Sequence, residues 1–257
     1  MLLNGTPVDP DKLKVLALNN FGHFTSMRVE DHRVRGLSLH LDRLVNDCGQ
    51  VFGVQLDRDR LRAHIKQAVG DRGGAVVIRV TIFDPNLDLG NPGNQTDPQV
   101  LVTARSAVTS QLPPLKLKTT QYERDIPSVK HVGLFATMFH RRQAQLAGFD
   151  DVLFLDSRGY ISEGATWNIG FLRGEDITWP DGQCLPGVTM ELLKQLHQGT
   201  VDHVDPADLG SWDGAFITNA AIGVRPISAI DGHSWLDIPS FVKSLIEQYT
   251  AIEGERL

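Results

Sequence analysis

One stretch in the second half of the chain carries the strongest structural signal: Asp151-Val152-Leu153-Phe154-Leu155-Asp156-Ser157-Arg158-Gly159-Tyr160-Ile161-Ser162-Glu163-Gly164. Two parts of this stretch, residues 151–155 and 159–162, are apolar runs of strand length. The segment 156–159, which shares Gly159 with the second run, is rich in residues that favour turns. The stretch therefore predicts two β-strands joined by a tight turn, and the second strand ends at an acid, Glu163.

The first half of the chain predicts a unit of mixed helices and strands. Residues 24–29 and 33–35 are separated by a polar turn, which indicates a hairpin. Ser38 is expected to cap the helix that follows. Apolar residues of that helix recur at the spacing of one buried face, at Leu37, Leu41, Leu44 and Cys48. A second helix and two strands are expected over Arg58–Val69, Ala75–Phe83 and Val100–Ala104.

The second half predicts another unit of the same kind. Residues 106–114, rich in Ser, Thr, Gln and Pro, are the expected connector between a small N-terminal domain, 1–105, and a larger C-terminal domain, 115–257. Further strands are expected over 115–120, 168–172, 177–179 and 215–218. Helices are expected over 134–147, 188–197 and 239–252. The sequence therefore predicts an α+β fold with two domains.

The balance of charge argues against a nucleic-acid partner. The 257 residues carry 25 Lys and Arg against 31 Asp and Glu, a net charge of −6, and no basic run reverses it locally. The start of the chain has no basic segment followed by an apolar one, and no apolar run approaches the roughly 18 residues of a membrane span. Cys48 and Cys184 belong to no Cys-x-x-Cys pair. We therefore expect a cytoplasmic protein with no membrane segment and no metal.

Several common catalytic motifs are absent from the sequence, including Gly-x-Ser-x-Gly and His-Glu-x-x-His. Lys130 follows a short apolar, turn-forming stretch, 126–129, that is suited to presenting a partly buried amine, and burial favours the neutral, nucleophilic form. Glu163 is followed by small residues that would let a planar ligand approach. Pyridoxal 5'-phosphate needs both groups, an amine to carry its aldehyde and an acid to keep its ring nitrogen protonated.

The same cofactor needs a site for its phosphate. Gly187, Val188 and Thr189 are expected at a helix N-terminus, where free N–H groups and the helix dipole attract anions. Arg43, close to His40 on the early helix, is suited to a bidentate contact with the same phosphate. Each of these features is more often structural when it stands alone. The hypothesis therefore depends on the whole set.

Four segments, in order, resemble the class IV aminotransferase family, the fold type IV group of enzymes that use pyridoxal phosphate. Residues 129–131, followed by a helix and by 147–168, resemble its central signature, and the separation of 163 − 130 = 33 residues suits its spacing from lysine to glutamate. Residues 40–44 are similar to its early phosphate-arginine motif, and 185–189 to its phosphate-helix motif. The resemblance runs from Gly22 to Asp231.

The resemblance implies a two-domain α+β fold with pyridoxal phosphate at the domain interface, usually in a homodimer. It implies an aminotransferase that moves an amino group between an amino acid or amine and a 2-oxo acid. Lys130 would form the Schiff base and move the proton, and Glu163 would pair with the pyridine nitrogen. The other implied cofactor contacts are Arg43, Asn168, Val188, Thr189, Thr218 and Asn219.

Two positions depart from the branched-chain and D-amino-acid aminotransferases. Phe24-Thr25 stands where those enzymes usually carry Phe-Glu or Tyr-Glu, and Phe135 stands where many carry tyrosine. Phe24-Thr25 and the loop 218–220 look more like 4-amino-4-deoxychorismate lyase, which releases pyruvate and 4-aminobenzoate, and Thr25 is then a catalytic candidate. The lyase and a non-catalytic protein that binds the cofactor are kept as alternatives. Candidate partners for a substrate carboxylate are Arg28, Arg79, Arg105 and Arg225.

Overall fold

The structure, a computed structural model, describes residues 1–108, 110 and 112–257. The elements up to residue 106 are β1 (Leu2–Leu3), β2 (Thr6–Pro7), α1 (Lys14–Leu18), β3 (His23–Glu30), β4 (Arg33–Val34), α2 (Leu37–Phe52), α3 (Arg58–Val69), β5 (Ala75–Phe83) and β6 (Gln99–Ser106). The later elements are β7 (Leu115–Gln121), α4 (Phe135–Leu146), β8 (Asp151–Leu155), β9 (Ile161–Gly164), β10 (Asn168–Arg173), β11 (Asp176–Pro180), α5 (Val188–Leu196), β12 (Thr200–Asp202), β13 (Gly214–Asn219), β14 (Gly223–Ile230), β15 (His233–Ser234), α6 (Ser240–Ala251) and β16 (Glu255–Arg256). Short 3-10 helices span Pro10–Leu13 and Pro206–Ser211.

The chain divides into two compact units, and both contain helices and strands. The first unit comprises Met1–Thr109, Val129–Gly133 and Glu253–Leu257, and the second comprises Ser110–Ser128 and Leu134–Ile252. The expected connector, 106–114, contains residues 109 and 111, which lie outside the described residues, and the predicted domain bounds stay a prediction. The α+β class is confirmed.

The first unit is built on an antiparallel sheet with the strand order β16-β4-β3-β5-β6-β1-β2. Helix α2 packs against β3, and α3 packs against β5 and β6. The predicted apolar stripe of α2 is buried, at Leu37, Leu41, Leu44 and Cys48. Burying each large apolar side chain contributes about 1.5–3 kcal/mol, so this stripe fixes α2 on the sheet.

The start of α2 corrects one prediction. Gly36, in the left-handed conformation with a φ of 70°, is the N-cap, and Ser38 lies in the first turn. The carboxylate of Glu255 accepts hydrogen bonds from the Ser38 N–H and hydroxyl. A residue more than two hundred positions away therefore takes the place of the predicted local cap.

The second unit is built on a mixed sheet with the order β12-β11-β10-β13-β14-β7-β8-β9, and β15 pairs with β14. The predicted strand pair at 151–164 is confirmed, because β8 and β9 pair antiparallel with Leu155 opposite Ile161. Strand β9 begins two residues later than predicted. Gly159, with a φ of 90°, belongs to the turn, where the Asp156 side chain accepts the N–H of Tyr160. The turn therefore sets where β9, the strand that carries Glu163, begins.

Candidate active site

The segment that carries Lys130 is held in place by backbone hydrogen bonds within the first unit. The Phe24 N–H donates to the Lys130 carbonyl over 2.8 Å, and the Val132 N–H donates to the Gly22 carbonyl over 2.9 Å. The Lys130 N–H donates to Oδ2 of Asp47 over 3.1 Å. Both backbone groups of Lys130 are thus occupied, which fixes the direction in which its half-buried side chain leaves the backbone.

The cationic side chains of Lys130 and Arg79 both lie beside the aromatic ring of Phe24. The Nζ atom of Lys130 lies 5.2 Å from the ring centroid, and Cζ of Arg79 lies 3.6 Å from it. Arg79 projects from β5, where Arg79 is paired with Ser26 of β3. The attraction between a cation and an aromatic face positions both side chains beside this ring.

A set of buried polar residues lies next to the Lys130 segment. Oγ1 of Thr25 is 2.7 Å from Nδ1 of His40, and both side chains are at most 1% exposed. Burial first, and then the positive charges of Arg43 and Lys130, lower the pKa of His40 well below its usual range. His40 is therefore neutral at pH 7, and Thr25, the predicted catalytic residue, uses its hydroxyl in this contact.

Asp47 completes this set from the next turns of α2. Burial raises the pKa of its carboxyl group, whereas the hydrogen bond from the Lys130 N–H and the charges of Arg43 and Lys130 lower it. His23, fully buried, has Nδ1 4.0 Å from Oδ2 of Asp47, and burial lowers the pKa of His23 to about 3. Asp47 and His23 carried no functional prediction. Their residue types alone gave no signal, because their burial arises from tertiary packing.

The second unit holds Glu163 near the end of β9, and the residue is 4% exposed. Oε1 accepts a hydrogen bond from Nε of Arg124 over 2.7 Å, and Oε2 accepts the Leu185 N–H over 3.3 Å. Arg124 also donates through Nη2 to the Ala165 carbonyl over 2.8 Å. Sequence reasoning missed Arg124, because it stands among other charged residues at 123–125 with no spacing to mark it.

The predicted phosphate helix is α5, which begins at Val188 with Gly187 as its N-cap. Glycine has no side chain to occupy the first N–H groups, and Thr189 is fully buried. The Thr189 hydroxyl donates to the Tyr249 hydroxyl over 3.4 Å. A Cβ atom at position 187 would lie 2.1 Å from Oδ1 of Asn168, so a larger residue there would displace the Asn168 side chain. No side chain of the N-cap residue caps this end of α5, and N–H groups at such an end are suited to an anion.

Asn168, Thr218 and Asn219 lie close to each other in the second unit. Asn168 and Thr218 are paired across β10 and β13, and Nδ2 of Asn168 donates to the Leu185 carbonyl over 2.8 Å. Oδ1 of Asn219 accepts the N–H groups of residues 221 and 222, which builds the turn to β14. Within the described part of the chain, the buried Thr218 hydroxyl has no hydrogen-bond partner. A buried hydroxyl of this kind usually has a ligand or a water.

The structure thus assembles the predicted residues in two groups, each within its own unit. Thr25, Arg43 and Lys130 belong to the first unit, and Glu163 and the other predicted contacts belong to the second unit. Among the described side chains, no group of three or more His, Cys, Asp or Glu residues is arranged to hold a metal ion. No helix in the described ranges is long and apolar enough to cross a membrane.

Comparison with known proteins identifies the family to which most of the chain is similar. Residues 22–230 match the family model described as amino-transferase class IV. A probable branched-chain-amino-acid aminotransferase of Rickettsia typhi is 24% identical over 81% of this chain and 77% of its own length.

Two solved structures show how far the fold is shared. A branched-chain amino acid aminotransferase of T.th., complexed with N-(5'-phosphopyridoxyl)-L-glutamate, superposes with a TM-score of 0.82 at 24% identity, over 96% of this chain and 91% of that one. A putative 4-amino-4-deoxychorismate lyase of Legionella pneumophila superposes with a TM-score of 0.80 at 20% identity, over 95% of each chain. At these identities the two superpositions establish the fold.

Proposed function

Because the chain belongs to the class IV aminotransferase family, we propose that it is a pyridoxal phosphate-dependent aminotransferase that moves an amino group between an amino acid or amine and a 2-oxo acid. One observation carries the proposal. The region that matches the family includes a lysine fixed through its backbone, Lys130, and a buried carboxylate held by two donors, Glu163.

The residues present fit the proposed cofactor. Its aldehyde needs an amine, which Lys130 supplies, and its ring nitrogen needs an acid, which Glu163 supplies. Its phosphate needs donors, and the N-terminus of α5, whose N-cap residue provides no side-chain cap, and the unpartnered hydroxyl of Thr218 are suited to that role. Arg43 is the proposed additional cation for the phosphate. The phosphopyridoxyl ligand of the T.th. aminotransferase, which has the same fold, supports this assignment.

When bound, pyridoxal phosphate supplies an electron-withdrawing ring that stabilises negative charge developing at the substrate carbon. Lys130 attaches the cofactor and, once released from it, accepts and returns a proton at Nζ. Glu163 places a negative charge for the ring nitrogen, and its burial at 4% exposure strengthens that interaction by excluding water. The position of the cofactor at the domain interface stays a prediction.

Incubating the purified protein with pyridoxal phosphate and a panel of amino donors tests the proposal. We expect donors to convert the bound cofactor to its pyridoxamine form, which absorbance records. Conversion by none of the donors would contradict an aminotransferase. Release of pyruvate and 4-aminobenzoate from aminodeoxychorismate would instead support the lyase, which the Phe24-Thr25 pair and the loop 218–220 suggested.

Arg79 is the proposed partner of the substrate carboxylate. Arg28 is paired with Glu30 at 2.7 Å, Arg105 is exposed, and Arg225 has the charges of two aspartates near it. Arg79 is partly buried, and burial lowers the pKa of its guanidinium. Its contacts are the Thr81 hydroxyl and the ring of Phe24, and no carboxylate of a described residue lies within ion-pair distance of it. An anion beside Arg79 would therefore compensate a buried positive charge.

Replacing Arg79 with glutamine is expected to raise KM for a donor that carries a carboxylate by roughly 10- to 100-fold, because a hydrogen bond to a charged group is lost. The affinity for pyridoxal phosphate should stay unchanged. Arg105→Gln, on the neighbouring strand β6, is the matched control and should leave KM unaltered. An equal KM increase for a simple amine without a carboxylate would show that Arg79 does not recognise that group.

A homodimer is the second part of the proposal. Helix α4 exposes a row of large apolar side chains, at Phe135, Met138, Phe139 and Leu146. A cluster of this kind on the surface indicates a protein partner. We propose a second copy of this chain as that partner, since the resemblance implies a homodimer.

The cytoplasmic location also stays a prediction, and the two free cysteines agree with a reducing compartment.

Light scattering of the purified protein is expected to give twice the 28.4 kDa mass of the chain. Phe139→Glu should shift the protein towards the monomer, because it would bury an uncompensated charge in the interface. Glu191→Gln, on the half-exposed surface of α5, should leave the mass unchanged. A wild-type protein that stays monomeric at micromolar concentration would contradict the homodimer.

A further inference from the structure

The contact between Arg124 and Glu163 is the most deeply buried ion pair of the second unit whose contacts are described. Both side chains are 5% exposed, and the pair is not accounted for by the proposed roles of Lys130 and Glu163. Three segments of the chain meet at the carboxylate. Arg124 reaches Oε1, the backbone N–H of Leu185 reaches Oε2, and Arg124 is itself fixed by the Ala165 carbonyl.

Stability alone does not explain this pair. Removing two charges from water costs about as much free energy as their attraction returns, so apolar side chains of similar volume would stabilise the unit equally well. The backbone beside Glu163 is already fixed without the pair. A Cβ atom at Gly164 would lie 2.2 Å from the Trp167 ring, so this turn is closely packed. What Arg124 adds is control over the orientation and charge of the carboxylate.

Resting on the proposed function, we propose that Arg124 is a positioning residue that orients Glu163 for the ring nitrogen of the cofactor. A carboxylate offers about four lone-pair sites, so it can accept from several donors at once. Arg124 and Leu185 donate to different oxygens, Oε1 and Oε2, which fixes the plane of the carboxylate. The guanidinium also compensates the buried negative charge before the cofactor binds, so the carboxylate is in position in advance.

A double-mutant cycle tests this role. Arg124→Gln, Glu163→Gln and the double variant are compared by titration with pyridoxal phosphate and by the pH dependence of the bound cofactor's absorbance. We expect Arg124→Gln alone to weaken cofactor binding about tenfold and to displace the pH dependence, because the carboxylate loses its fixed orientation. In the Glu163→Gln background, Arg124→Gln should change neither property by more than about twofold, since it acts through Glu163.

Arg141→Gln is the matched control. Arg141 makes a comparable set of contacts, to both Asp151 oxygens and to the Thr166 hydroxyl, and it does not contact Glu163 in the structure. It should lower thermal stability without displacing the pH dependence of the absorbance. The same displacement in Arg141→Gln, or additive effects in the double variant, would overturn the role of Arg124.

A wild-type protein that does not bind pyridoxal phosphate would refute both the proposed function and the inference that rests on it. A wild-type protein that binds and reacts, together with an Arg124→Gln variant of unchanged affinity and pH dependence, would refute the inference alone. If Arg124→Gln does not fold, Arg124→Lys replaces it in the cycle, because it keeps the charge but has no planar fork to reach both acceptors. Wild-type affinity and pH dependence in Arg124→Lys would then contradict the inference.

Discussion

Replacing Lys130 with alanine is expected to abolish turnover, with a loss of more than about 10⁴-fold. The amine is proposed both to attach the cofactor and to move the substrate proton, and proton transfer alone contributes about 10²–10⁴-fold in enzymes. The variant should stay folded, because Lys130 is anchored through its backbone N–H and carbonyl, which alanine retains. Steady-state turnover and circular dichroism measure the two expectations.

Lys116→Ala is the control for this substitution, because Lys116 is exposed on β7 of the second unit. It should have wild-type turnover. Turnover of Lys130→Ala within tenfold of wild type would show that another group carries the chemistry. That result would favour a different lysine as the attachment point.

Replacing Glu163 with glutamine is expected to lower kcat/KM by about 10²-fold, because the ring nitrogen loses its ionic partner in a water-excluded site. The contact with Arg124 adds a consequence for stability. Glutamine leaves the guanidinium of Arg124 buried without a counter-charge, which costs about 3 kcal/mol. We expect a folded variant with a lower Tm, measured by thermal unfolding beside kcat/KM.

Glu191→Gln is the control, since Glu191 forms a half-exposed ion pair with Lys194 on α5. Pairs of this kind contribute about 0.2–1 kcal/mol at most, so neither the Tm nor the rate should change measurably. An unchanged rate in Glu163→Gln would show that another acid holds the ring nitrogen. An unchanged Tm would show that Arg124 finds a different partner.

Local patterns predicted the regular elements well. Helix α3 and strand β5 have the predicted bounds, Arg58–Val69 and Ala75–Phe83, because apolar periodicity and end signals agree there. Strand β14 was not predicted. It contains Pro226, which lacks an N–H, and a proline argues against a central strand. The pairing of β14 with β7 is irregular between Ile227 and Ala229, directly after this proline.

The residues of the candidate site, like the regular elements, were predictable where a local sequence motif marks them and not predictable elsewhere. Lys130 and Glu163 were identifiable from motifs, and so was the glycine before α5. The contacts of Arg124 and Asp47 were not identifiable, because both depend on residues 39 and 83 positions away in the chain. No local pattern encodes such a partner. The roles assigned to the site residues stay proposals.

The attachment of the cofactor to Lys130 is tested most directly by borohydride reduction followed by peptide mass mapping. The protein is loaded with pyridoxal phosphate, reduced and digested. We predict a phosphopyridoxyl group on the peptide that contains Lys130, at near-stoichiometric yield, and loss of the absorbance of the unreduced complex. Stoichiometric labelling of a different lysine, or no labelling of a protein that binds the cofactor, would contradict the account.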